Sequence, residues 1–102
     1  MAQIRRIQDM ESILDEGTET IGTLARALDR YEALLPRLQI LEDYYTGGQW
    51  MQDYEDDREK RLPPDLKRGV LSEDAVFDLL QDQTQMLQRM REMVKRAWEK
   101  GE

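Results

Sequence analysis

The chain contains no cysteine and no histidine. Without thiols it has no disulfide, no thiolate nucleophile and no thiolate metal site. Without imidazole it lacks the usual general base, the usual zinc ligand and the side chain that titrates near neutral pH. Ser12 and Ser72 are the only serines, and neither has a histidine to activate its hydroxyl. The expectation is a non-enzymatic protein with no catalytic residue, no cofactor and no metal. A long apolar run is also missing. The amino-terminal segment MAQIRRIQDMESIL is amphipathic and carries Asp9 and Glu11, unlike a signal peptide or a membrane span. A formal net charge of -7 over 102 residues opposes attraction to nucleic acid or anionic lipid. The sequence therefore predicts a cytoplasmic protein, with neither nucleic acid nor membrane as partner.

What is present is helical pattern. Hydrophobic residues make up 39% and charged residues 36%, and the apolar positions recur at helical spacing, which argues for folded helix over disorder. One length of chain this size is expected to form a single helical domain, 1–102. Two interleaved seven-residue series run through the first half: Ile7, Leu14, Ile21, Leu28 and Leu35, with Met10, Gly17, Leu24, Tyr31, Leu38 and Tyr45. That is the a/d pattern of a coiled-coil-like seam, widened by Ile13, Ala25, Leu34 and Leu41. Gly17, Thr18, Thr20, Gly22 and Thr23 make one stretch weak in intrinsic helicity, since each glycine costs about 1 kcal/mol relative to alanine. Pro36 predicts a kink or a break near Leu34 to Pro36. The seam keeps its phase through Leu38 and Tyr45, which favours the kink.

The chain turns in LEDYYTGGQWMQDYEDD, Leu41 to Asp57, which holds Tyr44, Tyr45, Trp50 and Tyr54 around the only Gly-Gly pair. A short helix is expected after Gly48. Leu62-Pro63-Pro64-Asp65-Leu66 cannot be regular helix, because consecutive prolines remove donors and push the preceding residue to extended geometry. It reads as an ordered strap. Ser72-Glu73-Asp74 is a helix start, with a capping hydroxyl followed by acids where the dipole favours them. Val76, Leu79, Leu80, Met86, Leu87, Met90, Met93, Val94 and Ala97 then form one apolar stripe. Phe77 points away from it and is expected to meet the strap and the aromatic turn.

Candidate sites follow from these features. Tyr44, Tyr45, Trp50 and Tyr54, with Asp53 beside them, combine apolar area with polar tips and could line a ligand or partner surface; the competing reading is that they cap the bundle. The acidic run Asp53, Glu55, Asp56 and Asp57 has the oxygens a hard cation takes, but Arg58 and Pro64 stand where a calcium loop needs glycine and glutamate. A solvated acidic face is the better reading. Lys60, Arg61, Lys67 and Arg68 surround Asp65 and read as exposed, locally paired charge.

The segments LEDYY, WMQDYE and LPPDLKRGVLSEDAVFDLL resemble a small bacterial family of helical proteins known only as a domain of unknown function. The resemblance covers nearly the whole chain and is closest from Leu41 to Leu80. It implies a helical fold and carries no activity.

The expected architecture is an all-α antiparallel helical hairpin or bundle: a long kinked first helix, a short middle helix, a proline-containing strap and a long last helix packed back along the first. The expected role is a protein-interaction or assembly module that uses the amphipathic seam, either to self-associate as a homodimer or to hold an unidentified protein partner. The alternative is a small-ligand-binding protein that uses the aromatic turn.

Overall fold

A computed structural model describes residues 1–100. Among them the order is α1 (Ala2–Thr46), α2 (Gln49–Arg58), a single 3-10 turn (Gly69–Leu71) and α3 (Ala75–Lys100), with no strand. The all-α class and the long first and last helices are as the periodicity predicts. The chain divides into two units, Met1–Leu38 and Gln39–Glu102. No helix among the described residues is long and apolar enough to cross a membrane.

The first unit is α1 up to Leu38. Its helix runs unbroken through Pro36, so the chain does not break there. The proline forfeits one backbone bond, to the carbonyl of Glu32, and Glu32 is exposed, where solvent can take the freed acceptor. In the Gly/Thr stretch Thr18 donates from Oγ1 to the Leu14 carbonyl at 2.8 Å, which satisfies the hydroxyl without breaking the helix. The seam itself is open. Ile7, Leu14, Ile21 and Leu24 are 52%, 60%, 63% and 48% exposed, so the burial expected along this stripe is not found; only Leu38, at its end, is buried.

The second unit holds the compact part of the chain. Trp50, Leu71 and Val76 are its buried hydrophobic residues, one each from α2, the 3-10 turn and α3. The turn before α2 depends on both glycines. A Cβ on Gly47 would lie 2.6 Å from the Asp43 carbonyl oxygen, and Gly48 adopts φ 96°, the left-handed region that L side chains rarely enter. At the far end of α2 the amide of Lys60 bonds the Asp57 carbonyl at 3.0 Å and that of Arg61 bonds the Asp56 carbonyl at 2.8 Å. This is a Schellman closure with Lys60, at φ 61°, in the position that glycine usually fills. The hydrophobic contact that usually accompanies the motif is replaced by an ion pair, Arg61 to Asp56 at 3.2 Å.

The strap is ordered, as the sequence predicts. Arg68 organises it by pairing with Asp57 and by donating to the carbonyls of Pro63 and Leu66. Ser72 caps α3: its Oγ accepts the Ala75 amide at 3.3 Å and donates to the Gly69 carbonyl at 2.9 Å. Phe77 departs from expectation. It is 54% exposed, whereas its neighbour Val76 is 3% exposed. One residue is about 100° of rotation on a helix, and α3 turns the small Val76 inward, leaving Phe77 on the open side.

Candidate functional site

The five residues singled out in the turn, Tyr44, Tyr45, Trp50, Asp53 and Tyr54, come together in the second unit. Tyr44 and Tyr45 stand on the last turn of α1, and Trp50, Asp53 and Tyr54 follow one face of α2 at helical spacing. Trp50 is the centre. Tyr45 meets it edge-on, with ring centroids 5.1 Å apart and planes at 69°. Tyr54 stacks on it at 5.0 Å and 18°. Both are among the arrangements that aromatic quadrupoles favour.

The polar tips are bonded within the chain. The Trp50 indole N–H donates to the Val70 carbonyl at 2.8 Å. The Tyr44 hydroxyl donates to Asp53 Oδ2 at 2.6 Å, and the Tyr54 hydroxyl donates to Glu73 Oε1 at 2.6 Å. Burial pushes the Tyr44 phenol up to about 12, and the bond to the Asp53 carboxylate and its negative charge push the same way. The Tyr54 phenol is raised too, chiefly because its proton is held by Glu73. Each phenol therefore works as a donor to a carboxylate. An arrangement of this kind joins segments; neither hydroxyl is prepared as a base or a nucleophile.

The three aspartates of the acidic run are committed in the same way. Asp53 takes Tyr44, Asp56 takes Gln52 at 3.1 Å and Arg61 at 3.2 Å, and Asp57 takes Arg68. Among the described residues no three acidic side chains converge as a bound cation requires. Of the cations flanking the prolines, Arg61 and Arg68 are paired locally, with Asp56 and Asp57 at the end of α2 and not with Asp65.

Three residues that bond to the aromatic cluster or to the acidic run carried no signal of their role in the sequence. Arg68 is half-buried, Glu73 reads simply as a first-turn acid, and Val70 contributes only its backbone oxygen. A pairing across 11, 19 or 20 residues leaves no periodic trace, because nothing local specifies it.

A family model described as "Domain of unknown function (DUF4298)" matches residues 7–93. No curated protein and no solved structure matches the chain.

Proposed function

Because the chain belongs to that family, which has no assigned activity, we propose from its own geometry that it is a non-enzymatic protein-interaction or assembly module. The surface it offers is the apolar seam of α1. The observation that carries this reading is the exposure of large side chains on both sides of the Gly17 gap in that seam, from Ile4 at 58% to Leu28 at 42%. A continuous apolar stripe left in water marks a binding surface. It also leaves the helix short of support. A segment with Gly17, Gly22 and three threonines has too little intrinsic propensity to hold a helix in water, and needs a packed face.

The second half of α3 supports the same reading by itself. Met86, Leu87, Met93 and Val94 are 45% to 56% exposed, and flexible methionines suit a face that accepts another helix. Ligand binding at the aromatic turn has less support, since Trp50 is buried and the hydroxyls of Tyr44 and Tyr54 are engaged within the chain.

A photo-crosslinking residue placed at Ile21, on the seam, and separately at Glu19, on the opposite face, tests the proposal in cells. Protein adducts at position 21 and none at 19 are expected. Adducts at neither position, or equally at both, would refute it.

A further inference from the structure

We propose that the occupant of the α1 seam is a second copy of this chain, paired antiparallel about Glu19 so that Ile21 of each copy enters the notch at Gly17 of the other. This rests on the interaction-module reading and names its partner.

The notch is visible on the single helix. Ile13, Leu14, Thr18, Ile21 and Gly22 surround a concavity whose floor is Gly17, and a Cβ built on Gly17 meets nothing within 4 Å. Knobs-into-holes packing needs a large side chain opposite such a gap. A parallel, in-register pair sets glycine against glycine and leaves the gap empty. With the two-fold axis at residue 19, the a and d positions pair as 7 with 31, 10 with 28, 14 with 24 and 17 with 21. Ile21, the most exposed of the seam side chains, then faces the gap.

Charge selects the same direction. From residue 7 to the axis every charge is acidic, at Asp9, Glu11, Asp15, Glu16 and Glu19, while between the axis and residue 31 Arg26 and Arg30 outnumber Asp29. Parallel pairing would lay the acidic segments side by side, and like charges along a helix pair are unfavourable. Antiparallel pairing brings Arg30 near Asp9 of the partner. The flanking positions carry no like-charged encounter: Ile13 falls beside Ala27, Glu11 beside Ala25, Thr18 beside Thr18 and Thr20 beside Thr20. Area is sufficient as well. Eight large side chains from Ile4 to Leu28 are 42% to 63% exposed; at roughly 90 Å² each they offer about 700 Å² per copy, close to the share of a standard stable interface.

The chain carries no cysteine, so single introduced thiols report the pairing through a short bis-maleimide. Thr20→Cys should crosslink to a covalent dimer and Leu28→Cys should not, because residues 28 lie about 27 Å apart along an antiparallel pair at 1.5 Å per residue. Crosslinking of Leu28→Cys without Thr20→Cys would overturn the antiparallel geometry. Sedimentation at tens of micromolar should show a dimer, weakened at least tenfold by Gly17→Leu and left unchanged by Glu19→Leu on the opposite face. Gly17→Leu meets no steric obstacle within the single chain, so its circular dichroism should keep the helical signal. A monomer in sedimentation together with seam-specific adducts at Ile21 of another mass would overturn self-pairing while the interaction-module reading stands; a monomer with no adducts would end both.

Discussion

The indole N–H of Trp50 donates to the carbonyl of Val70 at 2.8 Å, joining α2 to the chain 20 residues further on. Trp50 thereby fixes the 3-10 turn that presents Leu71 to the core, while its ring is held between Tyr45 and Tyr54. Trp50→Phe keeps most of the ring packing and removes the donor. It should lower stability by about 1–2 kcal/mol, the range for orphaning a partly buried acceptor. Urea unfolding followed by circular dichroism at fixed protein concentration measures this. Trp98→Phe is the control: Trp98 is 74% exposed, and its replacement should stay within about 0.5 kcal/mol.

The glycines of the α1–α2 turn should be separable in mechanism though similar in effect. Gly47→Ala forces a Cβ against the Asp43 carbonyl at 2.6 Å, a steric conflict with backbone. Gly48→Ala places an L side chain at φ 96°, a conformational cost of about 1–2 kcal/mol. Both should lower the urea midpoint. Gly17→Ala, where nothing stands within 4 Å, should instead raise the helical signal of a monomeric sample.

Lys60 occupies the left-handed position of the Schellman closure without being glycine. Lys60→Gly should therefore stabilise the fold by about 0.5–1 kcal/mol, while Lys60→Val, with a branched Cβ, should destabilise it by more than that. The comparison of the two urea midpoints checks the sign. An equal loss from both would show that the lysine side chain, and not the backbone, stabilises this corner.

Tyr44 makes a prediction about alkaline pH. Its folded pKa, about 12, lies above the ordinary value of 10.0. The protonated phenol is the form the fold favours, so its contribution to stability is complete below pH 10 and is lost as pH rises toward 12. Asp53→Asn removes the negative charge and the strong acceptor. Absorbance titration near 295 nm should then show a tyrosine titrating closer to 10 than in the wild type, and an unchanged titration would refute the bond's role.

These residues show what sequence pattern could and could not deliver. The seam from Ile7 to Leu35, the Ser72 cap and the strap at Pro63-Pro64 were legible because each is a local signal: a period, a hydroxyl before two acids, a pair of residues without amide protons. The gathering of Tyr44, Tyr45, Trp50, Asp53 and Tyr54 was legible as a cluster, because α2 sets three of them on one face. Its partners were not. Glu73 and Val70 reach it only through the tertiary path of the strap, by which Arg68 also reaches Asp57. The αL corner at Lys60 was hidden because its usual marker, glycine, is absent. Phe77 was misplaced because a large aromatic on a helix flank looks like core, and only the position of Val76 shows which side of α3 is inward. Burial of the seam was expected from its periodicity, but periodicity specifies that a face is apolar and not what covers it.

The measurement that bears most directly on the account is amide hydrogen exchange across residues 7–31 of the purified protein at increasing concentration. If the seam is closed by a second copy, exchange there should slow as concentration rises, while α2, held by Trp50, exchanges at the same rate throughout. Fast exchange across residues 7–31 at every concentration would contradict it.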